Sequence, residues 1–139
     1  MMISNNAIGG RVRAAVFVLT IVAAAAIAAC SPSGPTTPAE GSAEREAIFE
    51  GMRKGRENPD VTFVVRTMKV QDNWAWVVAE PQSKDGSAHF ETESWLLQKT
   101  AAGWQIAAQP CAEEGCEPAA ELAKIRQNNP QAPAAIFAP

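Results

Sequence analysis

The sequence predicts an α+β domain in which one N-terminal helix packs on a curved four-stranded antiparallel sheet and a short C-terminal helix follows. Two observations predict this class. A segment with helical spacing of its apolar residues comes first, between a serine N-cap and a glycine stop. Four segments rich in β-branched and aromatic residues then follow, separated by short turns that suit antiparallel hairpins.

The first helix is predicted over residues 43–54. Ser42 supplies an N-cap, acidic residues fill the first turn, and Gly55 follows a basic pair at the other end. Ile48 and Met52 are four residues apart and therefore lie on one face of the helix. That apolar face needs a partner surface, and the sheet is the one available.

Two hairpins are predicted after the break at 58–60. The first pairs 61–70 with 74–79, and the second pairs 88–99 with 104–109, with the break at 81–87 between them. Each run is bounded by Asn, Asp, Gly or Pro, which favour turns. The hairpins together give the four strands of the sheet.

The first strand changes the phase of its alternation. Phe63 and Val65 share one parity, whereas Met68 and Val70 share the other. Because side chains alternate strictly along a strand, burying all four on one face requires a β-bulge near residues 66–67.

The C-terminal part is predicted to form a short helix over about 118–128, which begins at a proline and contains apolar residues three apart. The tail 129–139 contains three prolines and is expected to be extended. Its apolar residues Ile136 and Phe137 are expected to dock against the domain.

The beginning of the chain has the layout of a signal peptide. Arg11 and Arg13 precede an apolar, alanine-rich span at 14–29 that ends in small residues and Cys30. The span is shorter than the ~20 residues that a transmembrane helix needs. We therefore predict a signal peptide at 1–29, with an uncleaved signal anchor as the alternative.

The residues Ile27, Ala28, Ala29 and Cys30 resemble the lipobox of bacterial lipoproteins. The resemblance implies cleavage before Cys30, a diacylglycerol thioether on its sulfur and acylation of the new amino terminus, typically by palmitate. Each buried CH₂ adds about 0.8 kcal/mol of membrane affinity, so two or three chains anchor stably. Ser31 implies the periplasmic side of the outer membrane if the host is Gram-negative.

The mature chain is predicted to be one small domain. Removing 29 of the 139 residues leaves 110, with a Pro/Gly/Ser/Thr tether at 30–41 and a domain at 42–139. Without Arg11 and Arg13, the 12 basic residues fall to 10 against 15 acidic ones, a net charge of −5. An acidic surface argues against nucleic acid as a partner, so the lipid is expected to make the membrane contact.

Cys111 and Cys116 form an even pair once Cys30 is lipidated, and a disulfide is the expected state of such a pair in an exported protein. A metal pair and a redox dithiol are the alternatives. No further Cys or His lies nearby in the sequence to complete a zinc site, and the spacing is not C-x-x-C.

A second resemblance concerns the folded part. It rests on Phe63, Val65, Met68 and Val70, then Asp72, Trp74, Ala75 and Val77, and later Trp95–Leu97 and Gly103–Trp104. These residues resemble small uncharacterised exported bacterial proteins, and the order of elements is similar to cystatin-like and nuclear-transport-factor-2-like folds. With one helix before the first strand, the cystatin-like arrangement is favoured. The resemblance implies a fold and no activity.

Two groups of residues are candidates for chemistry or recognition. His89, Glu91 and Glu93 share a parity and would bind a cation or form a solvated face. Trp74 and Trp76 also share a parity and would line a cleft between sheet and helix or pack in the core.

Enzyme signatures are missing from the sequence: there is no Gly-x-Ser-x-Gly elbow, no phosphate-binding glycine loop and no metal-ligand spacing. We therefore expect no catalytic residue, no metal and no cofactor. The sequence favours a binding module for an envelope protein. The alternatives are a hydrolase or isomerase with a pocket on the concave sheet face, and a structural or inhibitory protein that pairs through an edge strand.

Overall fold

A computed structural model describes residues 34–139, and it confirms the α+β class with a four-stranded antiparallel sheet in the order β1-β2-β3-β4. The elements are α1 Ala43–Lys54, β1 Val61–Gln71, β2 Trp74–Ser83, β3 Glu93–Thr100, β4 Gly103–Ala108, α2 Pro118–Asn128 and a 3₁₀ helix at Ala134–Phe137. Within residues 34–139, no helix is long and apolar enough to cross a bilayer. The predicted signal peptide, the lipobox and Cys30 lie outside the described residues.

The bounds of α1 are those predicted from its caps. The Ser42 hydroxyl accepts a hydrogen bond from the Arg45 amide at 3.3 Å, and the Gly55 amide donates to carbonyls of the last turn. Ile48 and Met52 are fully buried, so the apolar face of α1 packs on the sheet as expected.

The sheet is covered on both faces. On β2, Ala75 and Val77 belong to the core that contains α1, whereas Trp74 and Trp76 belong to a second core on the opposite face with Ile136. Successive side chains of a strand point to opposite faces, so β2 is buried along most of its length. We call these two sides of the sheet the α1 face and the α2 face.

The β-bulge predicted in the first strand is confirmed. The register between β1 and β2 shifts between Val65 and Thr67. As a result Phe63, Val65, Met68 and Val70 all pack in the core of the α1 face.

The predicted boundaries between the second and third strands are wrong. β2 continues through Pro81 to Ser83, and β3 begins only at Glu93. The Pro81 carbonyl accepts from the Phe90 amide, and the Ser83 amide donates to the Ala88 carbonyl. These bonds flank the antiparallel bridge between Gln82 and His89 and close a turn at 84–87. The pairing does not continue through residues 91–92, so the predicted strand is interrupted before Glu93.

α1 is not at the N-terminal end of the folded part, because residues 36–38 precede it as an ordered segment that we call the strap. Thr36 forms an antiparallel bridge with Val70, and the Thr37 hydroxyl donates to the Met68 carbonyl at 2.8 Å. Pro38 is buried. The predicted tether is therefore not free throughout: within the part that the structure describes, the strap is joined to the edge of β1.

The C-terminal tail forms a 3₁₀ helix, Ala134–Phe137, where an extended segment was expected. Ile136 is fully buried, and the ring of Phe137 lies 5.2 Å from that of Trp76, so both apolar residues dock as expected. A single helical turn places these two side chains on the sheet, which an extended chain of alternating side chains would not do.

Candidate binding groove

A groove of about 420 Å³ opens on the α2 face, between the start of β3 and the loop that joins β4 to α2. The residues that characterise its lining are Trp76, Glu91, Glu93, Gln109, Glu113 and Leu122. Two of them belong to strands, one to a helix and three to loops. A cavity of this size falls within the range of small-ligand and peptide-anchor sites.

A disulfide between Cys111 and Cys116 forms one wall of the groove, which confirms the predicted pairing; their Cα atoms are 5.9 Å apart. The Cys111 amide donates to the Glu121 carboxylate at 3.3 Å, and Lys124 donates to the same carboxylate at 2.6 Å. The Lys124 hydrogen bond is the main cause that lowers the pKa of Glu121, and the Cys111 amide adds to it. The wall is thus fixed to α2.

Glu93 is held in place by two neighbours at the opposite side of the groove. One Arg56 nitrogen lies 2.8 Å from each of its carboxylate oxygens, and the Gln109 amide donates to one oxygen at 3.0 Å. Both Arg56 and Glu93 side chains are largely shielded, at 17% and 20% exposure. The charge of Glu93 is therefore compensated, and its role is to connect the residues after α1 to β3.

Glu91 and Glu113 are the acids of the groove whose charge is uncompensated. Both are exposed, and neither makes a side-chain ion pair in the part of the chain that the structure describes. Trp76 is the one aromatic side chain among the lining residues and is 8% exposed. The groove therefore combines two exposed carboxylates with the small exposed part of an indole.

Trp74 and Trp76 share one face of the sheet as predicted, but this is the α2 face, opposite α1. They line different cavities: Trp74 borders a smaller one of about 230 Å³ with Gln98 and Asn129. Both side chains are mostly buried, at 7% and 8% exposure, so most of each indole packs in the core. Of the two, Trp76 is the one that contributes to the groove.

His89 does not join the groove, and the predicted row of His89, Glu91 and Glu93 is not formed. β3 begins only at Glu93, while His89 lies in an isolated bridge opposite Gln82. The His89 Nδ1 atom is 2.8 Å from the Glu80 carboxylate, and this hydrogen bond is the largest cause that lowers the pKa of Glu80. Among the described residues, no cluster of three His, Cys, Asp or Glu side chains is arranged for a metal ion.

The sequence pattern did not single out Arg56, Gln109 or Glu113. Each lies outside a regular element, where neither helical nor strand periodicity indicates which side a residue occupies. The one available signal was the Cys111–Cys116 spacing, because a short disulfide loop fixes the residues that it encloses, and Glu113 is one of these.

The residues that line the groove supply carboxylates and an indole rather than a free thiol or an imidazole. Its lining residues include no histidine, and both of its cysteines are in the disulfide, so none of these groups serves as a nucleophile or an imidazole base. Comparison with protein-family models, with curated proteins and with solved structures gave no match to this chain.

Proposed function

We propose that this protein is a bacterial lipoprotein, anchored in the cell envelope by acyl chains on Cys30, whose single domain binds a partner. The support for the anchor is the lipobox-like Ile27–Cys30 after an apolar leader. In a Gram-negative host, Ser31 favours the periplasmic side of the outer membrane. For the domain we propose a cystatin-like arrangement, supported by the helix α1 that precedes the strands and packs on an antiparallel meander.

The binding surface that we propose is the groove, and its occupant is a segment of another envelope protein with a Lys or Arg side chain beside an apolar one. The observation that carries this proposal is the position of Glu91 and Glu113 around Trp76 without compensating cations. A cation near an indole and two carboxylates gains from both, and an apolar neighbour excludes water from these contacts. The net negative charge of the chain adds long-range attraction for a basic partner.

A hydrolase or isomerase that uses the groove is the alternative. The observation in its favour is that Glu91 and Trp76 line the same groove, and a carboxylate beside an apolar surface can serve as a general acid or base. The binding proposal accounts for more of the site, because a fixed disulfide wall and a compensated Glu93 create shape without supplying a reactive group.

The experiment is photo-crosslinking in intact cells with a photoreactive residue at Ala112, which lines the groove. We expect a discrete adduct that is lost when Glu91→Gln and Glu113→Gln are combined, because neutral amides keep the shape and remove the charge. Intact-mass measurement of the same preparation is expected to show acyl chains on a chain that begins at Cys30.

The matched control combines Glu46→Gln and Glu114→Gln, which remove two exposed charges outside the groove lining. This variant is expected to retain the adduct. A photoreactive residue at Ala102, in the turn between β3 and β4, controls for random collisions. An adduct that survives neutralisation of Glu91 and Glu113, or that forms equally well from Ala102, would contradict the assignment of the groove.

A further inference from the structure

We infer that the strap holds the domain close to the bilayer by the end of the sheet that carries the β1–β2 turn, with the groove at the far end. This inference rests on the proposed acylation of Cys30. The pairing of residues 36–38 with β1 and the register of the sheet together determine which surface of the domain faces the membrane.

The strap is joined to the edge of β1 by a set of complementary hydrogen bonds. The Thr36 amide donates to the Val70 carbonyl at 2.9 Å, and the Val70 amide donates to the Thr36 carbonyl at 2.8 Å. The Thr37 hydroxyl donates a further hydrogen bond to the Met68 carbonyl, and the Arg45 side chain donates to the Pro38 carbonyl at 3.2 Å. Several bonds of about 1 kcal/mol each, together with a buried proline, make the strap part of the domain.

The strap shortens the connection to the lipid. Only residues 31–35 lie between Cys30 and Thr36. At no more than about 3.6 Å per residue, six steps along the chain span at most about 22 Å, whatever their conformation. A tether that stayed free as far as Ser42 would span about twice that distance, so the strap halves the reach of the domain.

The antiparallel bridge also sets the direction in which the chain leaves the domain. Because Thr36 pairs antiparallel with Val70, residues 34–35 run toward the end of β1, where Asp72 and Asn73 form the turn into β2. Both turn residues have positive φ, as a tight two-residue hairpin requires. The turn between β3 and β4 is at this same end of the sheet.

Most of the groove lining lies toward the opposite end of the sheet, although Trp76 is next to Ala75. Val70 pairs with Ala75 on β2, whereas Glu93 of the groove pairs with Ala79, four residues farther along the same strand. Four residues of a strand span about 13 Å, and the disulfide loop continues beyond the end of β4. The strap and most of the groove lining are therefore at opposite ends of the sheet, an arrangement that directs the groove toward a partner on the aqueous side.

The experiment compares two reporter positions in the full lipidated chain, reconstituted in vesicles that contain a headgroup-linked spin-label quencher. Ala101→Cys places a fluorophore in the β3–β4 turn, and Ala88→Cys places one in the β2–β3 loop at the groove end. Both alanines are exposed. We expect strong quenching of the fluorophore at position 101 and much weaker quenching of the fluorophore at position 88.

Two variants test whether the strap causes this difference. Thr36→Pro removes the amide that donates to Val70 and is expected to lower quenching at position 101, whereas Gly34→Pro, before the strap, is expected to leave it unchanged. An insertion of about ten Gly and Ser residues after Ser33 lengthens the connection and leaves the strap intact. The insertion is also expected to lower quenching at position 101. It provides the test if Thr36→Pro fails to fold.

The outcomes separate this inference from the proposed function. A preparation whose mass shows no acyl chain on Cys30 overturns the anchoring proposal, and the inference falls with it. Acylated protein with equal quenching at positions 101 and 88, or with quenching at position 101 that the insertion does not lower, overturns the inference alone.

Discussion

The two faces of the sheet share the same four strands, but they are covered in different ways. Among the described residues, the core of the α1 face contains eleven buried residues and that of the α2 face contains six. α1 is a capped helix of three turns with four buried residues, whereas α2 contributes one, Ile125. The α1 face is therefore the main source of stability, since buried apolar area is the dominant favourable term in folding.

Because fewer buried side chains cover the α2 face, this face has space for the groove. The groove and the smaller cavity beside Trp74 both lie on this face, where α2, although nearly as long as α1, buries a single residue, Ile125. The disulfide and the pairing of Arg56 with Glu93 fix the groove where packing is thin. The same fold thus has its larger core on one face and its groove on the other.

Replacing one fully buried isoleucine on each face is the strongest test of this comparison. Ile48→Ala on the α1 face is expected to lower the free energy of unfolding by about 4 kcal/mol, because the rigid core around it cannot collapse into the cavity. Ile136→Ala on the α2 face is expected to cost about 2 kcal/mol, since the 3₁₀ turn can relax. Urea unfolding measures both values.

Hydrogen exchange of the Ile136→Ala variant sharpens the result. Amides of the last residues are expected to exchange faster while those of β2 and β3 keep their protection, because local opening of the tail leaves the α1 face intact. Equal losses of stability for the two variants, with uniform loss of protection from exchange, would show that the two faces unfold as one unit. This result would contradict the difference in stability between the faces.

A second test concerns the close contact between α1 and β4. A Cβ atom at Gly51 would lie 2.6 Å from the Trp104 carbonyl oxygen, which is backbone and cannot move aside. Gly51→Ala is expected to lower the free energy of unfolding by about 1–3 kcal/mol, although alanine favours a helix by about 1 kcal/mol.

Gly55 provides the control for Gly51. A Cβ atom there would meet the end of the Ile106 side chain, which can rotate away. Gly55→Ala is expected to change the free energy of unfolding by less than about 1 kcal/mol. If Gly51→Ala stabilised the protein instead, the helix would have to lie farther from β4 than the structure shows.

Local signals were sufficient to predict the main elements. The caps at Ser42 and Gly55 determine α1, and the phase change between Val65 and Met68 predicted the bulge. Both predictions depend on interactions within a few residues, which sequence patterns report well. The pairing of Cys111 with Cys116 was equally local.

The remaining features depend on contacts between distant residues. The strap pairs Thr36 with Val70, and the groove brings Glu91 and Glu113 to Trp76. Neither contact leaves a periodic trace in the sequence, because strap and groove loops follow no helical or strand repeat. His89 was placed on the third strand for its β-rich surroundings, but it forms an isolated bridge with Gln82, and β3 begins four residues later at Glu93.

The smallest expected effect lies at Glu80, on the same strand as Trp76 but beyond the groove lining. The hydrogen bond with His89 is the largest cause that holds the pKa of Glu80 below its ordinary value of 4.5, and bonds from Arg66 and Gln82 contribute less. His89→Ala is expected to raise the pKa of Glu80 toward 4.5 without altering the groove. Carboxyl-carbon NMR titration measures this pKa directly.

The sign of the accompanying pH dependence follows from the direction of the shift. Because the pKa of Glu80 is lower in the folded state, its contribution to stability is present above pH 4.5 and is lost as the pH falls through the folded pKa. Asp85 is an internal control, since Ser83 and Ser87 lower its pKa to about 2 without His89. An unchanged pKa of Glu80 in His89→Ala would show that the hydrogen bond does not persist in solution. A change in pKa that is confined to Glu80 would confirm that this end of the α2 face tolerates the loss of His89.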